Sequence, residues 1–356
     1  MAERRELKCV IAAGGTAGHV LPALAVAEAL QAHGVRVSFA GSPDRVEARL
    51  VPEAGYEFDA FRSSGLPRRA GAELVRSLAT ALRAPAACLK ILRRRQPDVV
   101  LGAGGYVSGP MVLAAGLERT PAALLEADAH LGLANRLAAP FAKRVFLAAP
   151  IAGRDGSKYR VTGRPVPQRS RAVPAAEARR LFDLPAEGPV LLVLGGSQGA
   201  RSLNELAVER WFESGPAVLH LSGERDYAAL RDRVSRPDYR LLPFTDEIGA
   251  AYGAADLALA RAGGSVWELA AAGLPAVLVP YPHATADHQT KNAGQFEAAG
   301  GAVVVPEAEL GRVPAVVDEL LVDATRREGM RRAMLEIARP DAAAEIAAEL
   351  VELASA

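Results

Sequence analysis

RAGGSVWELAAAGLPAVLVPYPHATADHQTKN, Arg261 to Asn292, reads as a turn, a short helix, a buried strand and a polar loop that opens the next helix. Apolar packing accounts for Ala270 to Val279. It does not account for Glu268 in an Ala-rich helix, nor for Asp287, His288, Gln289 and Asn292. Carboxylates, amides and imidazoles on rigid backbone are the groups that hold a sugar and a ribose. The stretch therefore points to a sugar-nucleotide grip at the end of a strand, and to other loops that complete the chemistry.

Outward from it, short apolar runs alternate with helical patterns. On the N-terminal side the strand candidates are Lys8 to Ala13, Val35 to Ala40, Glu57 to Phe61, Val99 to Gly102, Ala122 to Leu125 and Arg144 to Leu147. After Gly163 the pattern restarts with Val190 to Leu194, Ala217 to Leu221, Tyr239 to Leu242, Leu257 to Ala260, Ala276 to Val279 and Ala302 to Val305. Strands that alternate with helices form a parallel sheet covered on both faces. The expected fold is α/β, with two doubly wound Rossmann-like domains. Their spans are 1–163 and 164–340, followed by a C-terminal helix in 341–356 that returns to the first domain.

At 356 residues the chain exceeds one typical core, and half of it is hydrophobic, which suits a two-domain globular protein. A net charge of +1 argues against a general nucleic-acid binder. Cys9 and Cys88 make neither a disulfide framework nor a cysteine metal site. No long apolar stretch precedes the first glycines and none is free of charge for about 18 residues, so neither a signal peptide nor a bilayer span is expected. A cytoplasmic protein follows by elimination.

Three glycine loops each follow a strand. Gly14-Gly15-Thr16-Ala17-Gly18-His19 lacks the dinucleotide spacing and the Lys-Ser/Thr pair of a P-loop. Gly102-Ala103-Gly104-Gly105-Tyr106-Val107-Ser108-Gly109-Pro110 carries four glycines before its proline, which leave a concave surface of backbone N–H groups. Gly195-Gly196-Ser197-Gln198-Gly199-Ala200 sets hydroxyl and amide donors at a helix N-terminus, where a diphosphate is favoured. Open α/β sheets bind ligands at the carboxyl ends of their strands, so the three loops reinforce one another.

GGTAGHV at Gly14, GGYVSGP at Gly104, GGSQGA at Gly195 and WELAAAGLPAVLVPYP at Trp267 together resemble the MurG family over essentially the whole chain. That resemblance implies a GT-B fold whose domains face a cleft, and an inverting hexosyltransferase with no cofactor and no metal. It would move N-acetylglucosamine from UDP-GlcNAc to undecaprenyl-pyrophosphoryl-MurNAc-pentapeptide (lipid I) in peptidoglycan synthesis, peripheral to the cytoplasmic face of the membrane. On the donor side it implies Phe244 and Thr245 at uracil, Glu268 at the ribose, and Gly195, Gly196, Ser197, Gln198 and Gly199 at the diphosphate. Gly264 and Ser265 belong to the same side, with His288 and Gln289 at the sugar. On the acceptor side it implies Gly14, Gly15, Thr16, Gly18, Gly104, Gly105, Tyr106, Ser108 and Asn135. His19 is the first choice of general base, because imidazole titrates near neutrality, with Glu126 and Asp128 behind it.

Three departures from the family pattern stand out. Leu125-Glu126-Ala127-Asp128 replaces His-Glu-Gln-Asn, with His130 as a partial substitute. Gly163-Arg164-Pro165-Val166-Pro167 replaces Gly-Asn-Pro-Val-Arg, which leaves Arg164 as the candidate diphosphate arginine. The turn before Trp267 is one residue short. Leu74, Val75, Leu78 and Leu82 have helical spacing among Arg68, Arg69, Arg76, Arg83, Lys90, Arg93, Arg94 and Arg95, a pattern suited to an anionic membrane surface. Transfer to another lipid such as diacylglycerol, or a silent sugar-nucleotide-binding protein, are the alternative readings.

Overall fold

The computed structural model describes residues 5–63, 72–128, 131–196, 199–284 and 287–355; the side chains of 72–82 and of His288 lie outside that description. The chain divides into two compact units. The first is Met1–Pro167 with Pro340–Ala356, and the second is Gln168–Arg339. The division falls after Pro167 and not at Gly163, so Arg164 belongs to the first unit.

In the first unit the strands are β1 (Lys8–Ala12), β2 (Arg36–Gly41), β3 (Glu57–Ala60), β4 (Val99–Gly102), β5 (Ala122–Glu126), β6 (Arg144–Leu147) and β7 (Tyr159–Val161). They form one parallel sheet in the order β3-β2-β1-β4-β5-β6-β7. Along β1, Cys9 and Ile11 enter the core on one face while Val10 and Ala12 enter the core on the other. Both faces are covered, which is why these strands read as unbroken apolar runs.

The last helix, Ala342–Ser355, packs on the helix Ala17–Ala32. Its Ile346, Ala347 and Leu350 share a core with Val20, Leu24 and Leu30. The first helix begins at Ala17, directly after Thr16, which is in extended conformation. His19 therefore sits in its first turn.

In the second unit the strands are β8 (Val190–Leu194), β9 (Ala217–Leu221), β10 (Tyr239–Leu242), β11 (Leu257–Ala260), β12 (Ala276–Leu278) and β13 (Ala302–Val304). They form a second parallel sheet in the order β10-β9-β8-β11-β12-β13. Both sheets reverse direction once, at β1/β4 and at β8/β11. The glycine loops follow β1, β4 and β8, and the turn before Trp267 follows β11. All four thus lie at a switch point, where loops diverge and leave room for a ligand.

Candidate active site

In the first unit the two glycine loops interlock. Gly104 and Gly105 both have positive φ, at 95° and 73°. A Cβ on Gly104 would lie 2.5 Å from Cδ2 of His19, and one on Gly105 would overlap the carbonyl oxygen of Gly14. Only glycine fits either position, and the second loop rests directly on the first.

His19 is half-buried beneath this contact. Its Nδ1 lies 3.2 Å from the carbonyl oxygen of Gly14 and 3.3 Å from Oγ1 of Thr16. A carbonyl only accepts, so Nδ1 carries the proton and Nε2 keeps its lone pair. Burial pushes the imidazole below its usual value of 6.5. Asp128, the Gly14 carbonyl and Glu47 pull it back up, while Arg164 opposes them. The ring is therefore neutral at pH 7, the state a general base requires.

Arg164 is buried in this unit. It donates from one terminal nitrogen to Ala127 O at 2.6 Å and from the other to Gly18 O at 2.7 Å. Gly18 O is available because Pro22, four residues on in the helix, has no N–H to give it. Asp128 lies 3.6 Å from the same guanidinium and is partly exposed. Arg164 thus clamps the first loop to the segment after β5, and these partners belong to the first unit.

Glu126 is buried and fully engaged. It accepts from Asp128 N at 3.2 Å, Gly132 N at 2.8 Å and Asn135 Nδ2 at 3.0 Å. Burial raises its pKa, and the three hydrogen bonds oppose that rise. Asn135 also donates to Leu125 O at 3.0 Å and accepts from Ser108 Oγ at 3.2 Å. Ser108 is fully buried. Glu126, Asn135 and Ser108 accordingly fix the loop from beneath, whereas Tyr106 and Thr16 are exposed above it.

In the second unit, Gly196 and Gly199 have positive φ, and a Cβ on Gly199 would overlap Ser222 O. A Cβ on Gly195 would overlap the N–H of Ala200. This tight turn leads into the helix Arg201–Trp211, whose N-cap residue Ala200 has no side chain to cap its first N–H groups. Ser197 and Gln198 lie outside the described residues, as do His130 and the His288 side chain. Behind the turn, Asn204 and His220 are buried and bonded to one another at 3.0 Å. His220, pushed down to about 3 by burial, stays neutral there.

Glu268, half-buried on the helix Ser265–Ala271, accepts from Tyr252 OH at 2.6 Å. Gln289 accepts from Tyr281 N at 2.9 Å, and its amide nitrogen faces Gly263. Gly264 is exposed and Ser265 half-buried at the start of that helix. Phe244 is exposed, and Oγ1 of Thr245 accepts from Glu247 N at 3.1 Å. Arg261 reaches beneath these groups to Val279 O, Ser202 Oγ and Glu307. Among the described residues no group of three or more His, Cys, Asp or Glu is placed to hold a metal ion.

Three residues here carried no role in the sequence reading. Glu47 lies under the first loop, Tyr252 under Glu268, and Arg261 at the carboxyl ends of β11 and β12. Arg93, Arg94 and Arg95, expected at a lipid surface, pair with Glu118, Asp59 and Glu57, and the side chains of Arg93 and Arg94 remain exposed. Arg68 and Arg69, and the side chains of Leu74, Val75, Arg76, Leu78 and Leu82, lie outside the described residues.

Residues 9–147 match the glycosyltransferase family 28 N-terminal domain and residues 190–346 the glycosyltransferase family 28 C-terminal domain. With two parallel Rossmann-like sheets, they define a glycosyltransferase of the GT-B class. Two relatives share the designation UDP-N-acetylglucosamine–N-acetylmuramyl-(pentapeptide) pyrophosphoryl-undecaprenol N-acetylglucosamine transferase. The one from Acidithiobacillus ferrooxidans is 43% identical, with 97% of each chain covered. The one from Halothermothrix orenii is 37% identical, with 94% of this chain and 95% of that one covered. The crystal structure of Acinetobacter baumannii MurG superposes with a TM-score of 0.73 at 28% identity, covering 97% of this chain and 99% of that one. The chain belongs to the MurG family.

Proposed function

We propose that this chain transfers N-acetylglucosamine from UDP-GlcNAc to the C4 hydroxyl of N-acetylmuramic acid in lipid I, with inversion and without a metal ion. The observation that carries this reading is the interlock of two glycine loops around a neutral His19. Backbone N–H groups suit the acceptor's pyrophosphate, and the lone pair on Nε2 suits a hydroxyl that must lose its proton. In the second unit Glu268, anchored by Tyr252, is suited to accept from ribose hydroxyls. The start of the helix Arg201–Trp211, where Ala200 provides no side-chain cap, offers the departing diphosphate stabilisation of its growing charge.

The reaction is read as a direct displacement. The acceptor oxygen forms a bond to the anomeric carbon, the bond to the diphosphate oxygen breaks, and His19 takes the hydroxyl proton. Glu126, with its oxygens engaged, is assigned to loop positioning, and Asp128 to the electrostatics around His19. Arg164 is assigned to the acceptor half on its contacts with Gly18 and Ala127. Offered a lipid I analogue and diacylglycerol together, the protein should label only the former from radiolabelled UDP-GlcNAc. Labelling of diacylglycerol alone would point to the other lipid substrate, and no labelling at all would point to a silent binder.

The same reading places the protein peripherally at the anionic cytoplasmic membrane surface. Arg83 and Lys90 are exposed on the helix Ala72–Arg95. Leu117, Leu133, Leu137 and Phe141 are each more than half exposed, and Arg136 and Lys143 are exposed near them in sequence. Among the described residues no helix is long and apolar enough to cross a membrane. Vesicles containing anionic lipid should float the protein and neutral vesicles should not; equally negligible binding to both would remove the membrane surface from the proposal.

A further inference from the structure

We infer that Glu47 is the positioning carboxylate of His19 and acts on it through a single peptide group, the one between Gly14 and Gly15. The N–H of that peptide, on Gly15, donates to Glu47 Oε2 at 3.0 Å. The C=O of the same peptide, on Gly14, accepts from His19 Nδ1 at 3.2 Å. The other carboxylate oxygen, Oε1, accepts from Ser42 N at 3.0 Å, so the side chain is held at both ends. Glu47 is fully buried. Its space exists only because Gly14 and Gly41 lack side chains: a Cβ on either would lie 2.7 Å from a carbon of the glutamate.

The physical consequence follows from amide resonance. A carboxylate that accepts from the N–H draws the amide toward its charge-separated form, which leaves the carbonyl oxygen richer in electrons and a better acceptor. The imidazole N–H bonded to that oxygen is held more firmly, and the imidazolium formed on proton uptake is better stabilised. This is the service a carboxylate renders a catalytic histidine directly in a triad, here relayed through one peptide with no proton passing along it. The charged groups facing His19 are Asp128, Glu47 and Arg164: the two carboxylates favour the charged ring, and Arg164 with burial disfavours it.

The inference rests on the reading of His19 as the base that takes the acceptor's proton, and it adds the group that tunes that base. Nitrogen-15 histidine NMR of the full chain, compared with the Glu47→Gln variant, tests it. Wild-type neutral His19 is expected as the Nδ1–H tautomer. In Glu47→Gln the His19 midpoint should fall by about 0.5–1 pH unit, with loss of a single tautomer. kcat should fall about 10- to 100-fold with the KM for UDP-GlcNAc unchanged, the size of effect seen when the partner behind a functional imidazole is removed.

A purely structural Glu47 would change stability without moving the titration. An Nε2–H tautomer in the wild type, or an unmoved midpoint in a folded Glu47→Gln, would overturn the inference. Should Glu47→Gln fail to fold, Glu47→Asp, which keeps the charge on a shorter arm, should still loosen the tautomer; an unchanged spectrum would count against the relay. An inactive His19→Ala beside an unmoved titration in Glu47→Gln removes Glu47 and leaves the base. A fully active His19→Ala removes the base whatever Glu47 does.

Discussion

His19→Ala is expected to lower kcat by about 10²- to 10⁴-fold and to leave the KM for UDP-GlcNAc within about twofold. The reason is a division of labour between the units. His19 is held by Gly14, within the unit that carries the first two glycine loops, while Glu268 and the turn at Gly195 belong to the other unit. On the proposed reading, losing the imidazole removes the proton acceptor and leaves the sugar-nucleotide groups of the second unit intact. In the intact enzyme the base must be neutral to act, and burial lowers its pKa from 6.5. kcat/KM should therefore hold constant through neutrality and fall on an acid limb centred below pH 6.5. Near-normal turnover in His19→Ala, or an acid limb well above that pH, would dismiss His19 from the chemistry.

Gly105→Ala is expected to be the most damaging single methyl group in the first unit. At φ 73° any L side chain is strained, and this Cβ would overlap the Gly14 carbonyl, a backbone atom that cannot swing aside. Left-handed strain and overpacking together cost roughly 2–5 kcal/mol. Relief requires the two loops to part by about 1 Å or more, and a displacement of that size at a reacting group costs on the order of 100-fold in rate. The melting temperature should fall by roughly 5–15 °C, with turnover reduced at least 100-fold. Circular dichroism melting and the transfer assay measure both; wild-type values in each would mean that the loops do not interlock as described.

Most of the fold was legible in the sequence because parallel strands buried on both faces are unbroken apolar runs. VLLVL at Val190–Leu194 and LALA at Leu257–Ala260 are strands as expected. β7 is not legible in the sequence. It is a short edge strand, Tyr159–Val161, only partly buried, and three residues are too few for the alternation in YRV to stand out. The glycine loops were legible from their density of glycine, and the structure gives the reason: Gly104, Gly105 and Gly199 stand where another segment's atoms leave no room for a Cβ.

Single-residue roles were harder, because they depend on which strands become neighbours. Glu47 lies 32 residues beyond Gly15, and nothing in RVEARL distinguishes it from a surface glutamate until β2 pairs with β1. Tyr252, on the helix before β11, and Glu268, on the helix after it, meet only once both helices fold against that strand. Arg164 was read from its place in a family pattern as a diphosphate ligand. A proline in the first helix frees the carbonyl it binds, a consequence that becomes visible only when Gly18 and Arg164 are brought together.

The proposed reaction is tested most directly by the linkage it makes. UDP-GlcNAc labelled with carbon-13 in the sugar, incubated with a lipid I analogue in the presence of EDTA, should give a product whose NMR spectrum shows a β bond from the labelled anomeric carbon to O4 of N-acetylmuramic acid. An α linkage, attachment at another hydroxyl, or transfer that appears only when a divalent ion is restored would contradict the displacement proposed here.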